Sequence, residues 1–204
     1  MNMRSFTPAA LLAPLLALLL ALPAAAADKI PLAEISRYLN NLGTVSADFT
    51  QVNADGSQVA GKLFIRRPGR MRFEYTGDKT LVLASGGQVA IFDAKSNQPP
   101  EQYPLARTPL NLILAPKIDL GRNKMVMGHV TDGTLTAVTA QDPDHPEVGT
   151  IQLIFSASPT MLRQWVVTDD TGAKTRVSLS NLKNGASFPP SLFSITDEAG
   201  KRGF

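Results

Sequence analysis

Apolar and polar residues alternate through most of the chain after residue 43. Val45 to Asn53, Thr80 to Ser85, Gln88 to Asp93, Lys124 to Thr131, Leu135 to Ala140, Thr150 to Ser156, Met161 to Asp169 and Lys174 to Asn184 have the two-residue period of strands. Turn-forming residues separate them at Ala54-Asp55-Gly56, Gly86-Gly87, Asp132-Gly133, Gln141 to Gly149, Ser158-Pro159 and Asp169 to Gly172. Ahead of them the spacing is helical: Leu32, Ile35, Tyr38, Leu39 and Leu42 fall near one face of Pro31 to Asn41, which Gly43 ends. The pattern predicts a mainly β fold of about ten to eleven antiparallel strands, with helices confined to the front and middle.

The stretch Gly61 to Tyr75, GKLFIRRPGRMRFEY, reads as two strands joined around Pro68-Gly69. A two-residue connection pairs Arg67 with Arg70 and puts Lys62 and Arg66 on the face of Met71, Phe73 and Tyr75. A three-residue connection, Pro68 to Arg70, opposes Arg67 to Met71. Leu63, Ile65, Met71, Phe73 and Tyr75 then share one face and Lys62, Arg66, Arg72 and Glu74 the other. This second register is expected, and it leaves Phe64 on the polar face and Arg67 alone on the apolar one. A guanidinium has five donors and keeps its charge, so Arg67 either snorkels to solvent from the strand end or finds acceptors inside the fold.

Between the two sets of strands, Ala94 to Gly121 contains Pro99, Pro100, Pro104, Pro109 and Pro116 and shows little alternation. It breaks the meander and can cross over it. Inside it, Thr108 suits a helix cap, Pro109 a first helical position and Pro116 a stop, which predicts a stub of about two turns. Leu110, Ile113 and Leu114 fall on one side of that stub. A helix so short persists only by packing its apolar side on something.

Composition narrows the chemistry. Residues 1–26 combine Arg4, an apolar run from Ala9 to Leu22 and small residues at Ala24-Ala25-Ala26, the form of an export signal cleaved near Ala26 or Ala27. Residues 27–204 are expected to form one domain in a periplasm. The chain has no cysteine, which excludes disulfides, thiolate metal sites and lipid attachment through an N-terminal cysteine. There are 20 lysines and arginines against 17 acidic residues, and Arg4 lies in the leader. So small an excess is not a nucleic-acid balance, and Glu74 and Asp78 follow directly on the Arg66, Arg67, Arg70, Arg72 cluster. His129 sits mid-strand and His145 in the turn Asp142 to Glu147, which lacks the glycine and spacing of a calcium loop. No nucleophile elbow, zinc-protease motif, phosphate loop or dinucleotide fingerprint occurs, so no enzyme activity, cofactor or metal is expected.

The ordered set of an amphipathic first helix, SADFTQ at Ser46 to Gln51, GKLFIRRP at Gly61 to Pro68, the aromatic strand to Tyr75 and TPLNLIL at Thr108 to Leu114 resembles the LolA family of periplasmic lipoprotein carriers. The likeness spans roughly residues 30–195. It implies an unclosed antiparallel β-barrel, lined by apolar residues and covered by a helical lid. It also implies that Arg67 holds the lid shut by bonding backbone carbonyls of the lid helix, here Pro109, Leu110, Asn111, Leu112, Ile113 and Leu114. The corresponding acyl-cavity lining is Leu63, Ile65, Met71, Phe73 and Tyr75. The implied partners are acylated lipoproteins as cargo, an inner-membrane lipoprotein-releasing ABC transporter as donor and an outer-membrane acceptor, or the membrane itself, as destination. The carrier is expected to be a monomer.

Two departures stand beside the likeness. Ala90 and Ile91 occupy a segment, Val89 to Asp93, where the family often has more aromatic residues, and the chain stops within nine residues of Ile195. Two other function classes stay open. A periplasmic hydrolase requires convergent carboxylates or a Ser-His pair, and a carboxylate pair assembled by folding leaves no signature in sequence. A protein-binding regulator of the same fold requires a large exposed patch and no lipid.

Overall fold

The computed structural model describes residues 28–122 and 124–204, and the export signal read at residues 1–26 lies outside them. Helix α1 (Leu32–Asn41) precedes strands β1 (Thr44–Val52), β2 (Gln58–Arg66), β3 (Arg70–Tyr75), β4 (Leu81–Ser85), β5 (Gln88–Phe92) and β6 (Glu101–Pro104). A crossing segment follows, with a 3-10 turn at Leu105–Arg107 and a single helical turn α2 (Asn111–Leu114). The second half runs β7 (Val126–Thr131), β8 (Leu135–Gln141), β9 (Thr150–Ser156), β10 (Met161–Thr168) and β11 (Lys174–Asn184), then a 3-10 turn at Pro190–Phe193 and helix α3 (Ile195–Lys201).

The 11 strands of the described residues form one antiparallel sheet in the order β6-β5-β4-β3-β2-β1-β11-β10-β9-β8-β7. Each half is an up-and-down meander, and the pairing of β1 with β11 joins them. Strands β6 and β7 stand at opposite ends of the sheet, so the barrel is not closed. The sheet nevertheless curls: Phe73 of β3 meets Trp165 of β10 edge to face at 6.3 Å, although β2, β1 and β11 lie between their strands. Val45, Ala47 and Phe49 of β1 and Ile151, Leu153 and Phe155 of β9 alternate inward, as the period of two requires. Helix α1 plugs one end of this trough with Ile35 and Leu39, both fully buried, while the Tyr38 ring stands edge to face with Phe155 at 5.8 Å.

The β2–β3 hairpin differs from its expected register. Its connection is Arg67-Pro68-Gly69, so Arg66 faces Arg70, Ile65 faces Met71 and Leu63 faces Phe73. Arg67 therefore sits in the turn and does not oppose Met71. The displacement is two residues, so the sorting of the faces is the same in both registers. Gly69 takes φ +72°, and the β4–β5 turn uses Gly86 and Gly87 at φ +59° and +77°, the backbone that tight hairpins favour.

A second core lies on the outer face. Leu81, Leu83, Ala90 and Phe92 of β4 and β5 are buried there beneath Phe193, with Phe64, Phe188, Leu192 and Ile195 packed around them. This accounts for Phe64, the one aromatic on the polar face of the hairpin: its ring meets Phe188 at 5.4 Å. The residues after Ile195, unassigned from sequence, form α3, whose first turn is capped by Ser194 Oγ accepting from Asp197 N–H at 3.0 Å. Glu198 anchors this helix to the sheet, with Oε2 3.1 Å from the Arg72 guanidinium and Oε1 2.9 Å from Arg202 Nε. Strand β6 also went unassigned, because Pro104 ends it, and proline is tolerated there since β6 is a sheet edge.

Burial pushes the Glu198 carboxyl up, but its bonds to Arg202 and Arg72 outweigh that and hold it below the usual glutamate value of 4.5. A depressed carboxyl stabilises the fold above its unfolded pKa, and that contribution disappears as pH falls through the lower folded value. Glu198→Gln is expected to lower the unfolding free energy by about 1.5–3 kcal/mol at neutral pH. The difference from the parent chain should shrink below about pH 4. Urea unfolding across pH checks this; a deficit that is constant with pH contradicts it.

Candidate functional site

A cavity of about 1000 Å³ opens between the trough and the crossing segment. Its apolar wall comes from Phe73, Tyr75, Val82, Val89, Trp165, Val167 and Val177, and Ala106 to Leu110 form its other side. The aromatic wall depends on Gly61. A Cβ there would lie 2.8 Å from Phe49 Cε1 and 2.0 Å from the Glu74 carbonyl oxygen, so only glycine lets the Phe49 ring lie over the strand. Phe49 in turn stands edge to face with Phe73 at 5.1 Å and Tyr75 at 5.2 Å. The rim is polar, with Gln51, His145, Glu147, Asp169 and Asp170. Tyr75 Oη donates to Gln51 Oε1 at 2.9 Å, and burial, partly offset by that bond, pushes its phenol up to about 12.

Of the lining residues expected from sequence, Phe73 and Tyr75 face the cavity. Leu63, Ile65 and Met71 are buried in the core that continues from it, at 0%, 3% and 1% exposure. The crossing segment contributes to both regions. Pro109 and Leu110 line the cavity, Ile113 and Leu114 are buried in the adjoining core and Leu112 packs against that core.

Helix α2 is shorter than the two turns expected. The Thr108 hydroxyl donates back to the Leu105 carbonyl at 2.9 Å, so it closes the 3-10 turn and caps nothing beyond it. The β2–β3 turn supplies donors to the C-terminal ends of both α1 and α2, where the Leu39 carbonyl also accepts the cap bond from Leu42 N–H at 3.2 Å. Arg67 Nη1 donates to the Leu39 carbonyl of α1, and Nη2 to the Ala115 carbonyl just after α2 at 2.5 Å. The backbone N–H of Arg67 donates to the Gly43 carbonyl at 2.9 Å, and that of Gly69 to the Leu114 carbonyl at 2.9 Å. Arg67 is half-buried, its Nε is buried with no partner among the described residues, and desolvation lowers its pKa from the usual guanidinium value. Three separate stretches of backbone thus meet at one side chain.

A second attachment holds the crossing segment further along. Asn40, in the last turn of α1, donates its side-chain N–H to the Ile118 carbonyl at 2.7 Å and accepts from Ile118 N–H at 2.9 Å. Ser36 Oγ accepts from Leu120 N–H at 3.0 Å. A side-chain amide can mimic a backbone partner in this two-way fashion, which a carboxylate cannot. Helix α1 is itself tied to the second half of the sheet through Glu34 to Thr160 and Tyr38 Oη to Leu162 N–H, 3.1 Å in the latter pair. Asn40, Ser36 and the Leu39 carbonyl carried no signal in the sequence, because their partners lie at least 28 positions away.

His129 Nε2 is 2.9 Å from the Ile30 carbonyl, and His145 Nδ1 is 3.2 Å from Glu147 at the rim. No group of three metal-type side chains occurs among the described residues, and no described helix is long and apolar enough to cross a membrane.

A family model described as "Outer membrane lipoprotein carrier protein LolA" matches residues 40–196. An outer-membrane lipoprotein carrier protein of Methylococcus capsulatus is 26% identical over 186 residues, covering 87% of this chain and 88% of the relative. One from Chromobacterium violaceum is 27% identical over 185 residues, with the same coverage of 87% and 88%. The crystal structure of a LolA superfamily protein from Nitrosomonas europaea aligns with 82% of this chain and 98% of that chain, at 10% identity and a TM-score of 0.44.

Asn40→Ala removes both bonds to Ile118 and is expected to cost about 1 kcal/mol in urea unfolding. The local effect should exceed the global one. Amide exchange at Ile118 is expected to accelerate while the buried amides of β1 and β11 keep their protection; an unaltered Ile118 rate would show that Asn40 does not hold the segment.

Proposed function

This chain belongs to the LolA family of outer membrane lipoprotein carrier proteins, and from that premise we propose that it shelters lipoprotein acyl chains in its cavity and carries them across the periplasm. The observation that carries the proposal is an apolar cavity roofed by a segment whose attachment converges on one half-buried arginine. Cargo is received from an inner-membrane lipoprotein-releasing ABC transporter and handed to an outer-membrane acceptor or to the membrane. Residues 27–204 act as one carrier domain, working as a monomer without catalysis or a cofactor.

The energetics set what the site has to do. Each acyl methylene exposed to water costs about 0.8 kcal/mol, so crossing an aqueous compartment needs an apolar shelter. Release has to remain possible, which requires a closed state that competes with the bound one. Arg67 supplies that competition. Its bond to Ala115, with the neighbouring Gly69 to Leu114 bond, forms only when α2 lies down on the hairpin tip. Charge-assisted hydrogen bonds contribute about 1.5–3 kcal/mol each, enough to bias an equilibrium and too little to lock it.

Lid movement also determines which residues line the bound state. Pro109, Leu110, Leu112, Ile113 and Leu114 lift away together, and Leu63, Ile65 and Met71 join Phe73 and Tyr75 as the acyl-binding wall. When the lid lifts, the guanidinium keeps its Leu39 acceptor on α1. The charge therefore stays anchored while the lid moves.

Mature protein purified from the periplasm is expected to carry acylated lipoprotein in intact mass spectra and to fail to bind the same cargo without its acyl groups. Arg67→Leu weakens the closed state, so cargo release to an acceptor is expected to slow by about tenfold or more. Binding that ignores the acyl groups would favour a protein-binding module of this fold. Normal release by the variant would leave Arg67 a purely structural arginine.

A further inference from the structure

The outer face of the β2–β3 hairpin has cations that differ in how they are neutralised. Lys62 pairs with Asp48, and Arg72 reaches Glu74 at 2.6 Å and Glu198 at 3.1 Å. Arg66 and Arg70 face each other across the hairpin beside the turn, and neither has an ion-pair partner among the described residues. Directly opposed like charges destabilise a strand pair, and a shared counter-charge removes that repulsion.

The space beside them has the matching chemistry. Arg66 and Arg70 rim a concavity of about 540 Å³ whose far wall is the β4–β5 turn and the start of α3. Ser85, Ser194 and Thr196 line it together with Phe193 and Ile195. Ser194 uses an oxygen lone pair to accept from Asp197 N–H, so its own proton remains available as a donor. Two arginines and three hydroxyl-bearing residues lining one concavity favour a phosphate oxyanion over a carboxylate, because phosphate offers more acceptor oxygens for the same set of donors.

We infer that Arg66 and Arg70, with Ser85, Ser194 and Thr196, form a binding subsite for a phosphate group, either a free phosphate ester or the phosphodiester headgroup of a lipid. The subsite lies on the outer face, away from the acyl cavity. It does not depend on the carrier reading, and it can be occupied whether the lid is open or closed.

The test follows the arginine Nε–H resonances of the mature protein at constant ionic strength. Two probes are used, inorganic phosphate and vesicles of phosphatidylglycerol, with chloride and phosphatidylcholine vesicles as their controls. The inference predicts a saturable shift at Arg66 and Arg70 with either probe, and no such shift at Arg37 on the exposed face of α1. A response to both probes identifies the phosphate group itself as the ligand; a response to the anionic vesicles alone identifies a lipid headgroup. Each of Arg66→Gln and Arg70→Gln is expected to weaken binding by about tenfold, and the double variant to abolish it. The double variant also removes a like-charge pair, so its urea midpoint should equal or exceed that of the parent chain. No saturable shift with either probe, an equal response at Arg37, or a lowered midpoint would overturn the inference.

Discussion

A guanidinium taken out of water keeps its charge and needs oxygen acceptors, and that demand at Arg67 governs how helix α1, the crossing segment and the hairpin tip fit together. The acceptors are carbonyls at the C-termini of two helices, a place where positive charge is also favoured by the peptide dipoles, and the Leu39 oxygen takes Arg67 as a second donor beside Leu42 N–H. One side chain therefore joins the plug helix, the crossing segment and the tip of the β2–β3 hairpin. Without it, two helix ends would lose donors and the crossing segment would be held mainly by Gly69 N–H, Asn40 and Ser36.

The sheet curls around this arrangement and leaves a cavity beside it. Among the described residues β1 and β11 are the strands whose pairing joins its two meanders, and the crossing segment runs between its free edges, β6 and β7. Packing is uneven across the two faces. The inner face is filled near α1 and hollow toward the rim, while β4 and β5 are covered on the outside by the C-terminal turn and α3. The outer core and the Glu198 bonds brace the hairpin that carries Arg67, so the crossing segment is fastened to the half of the trough that is covered on both faces.

Much of the fold was legible because a period of two survives in ten of the strands, and the order of motifs pointed to the family. The limits have equally physical causes. Two registers of the β2–β3 hairpin that differ by two residues sort the faces identically, so hydrophobic pattern could not choose between Arg67 opposite Met71 and Arg66 opposite Arg70. Strand β6 was hidden by its proline, which only an edge position tolerates. Helix α3 did leave a signal, the Ser194 to Asp197 cap, but so short a helix depends on the outer core that it covers. In the candidate site, the oddity of Arg67 and the apolar stub at Pro109 to Leu114 stood out in sequence. The Leu39 carbonyl and the Asn40 clamp did not, since backbone acceptors and exposed amides look alike until the chain brings them together.

The central claim is that the segment around α2 leaves the hairpin tip when cargo enters while the attachment at Asn40 holds. Amide hydrogen exchange of the protein, empty and loaded with a triacylated lipopeptide, measures both at once. The account predicts that Gly69 and residues 111–115 lose protection on loading while Ile118 and Leu120 retain theirs. Unchanged protection at Gly69, or equal loss along the whole crossing segment, would contradict it.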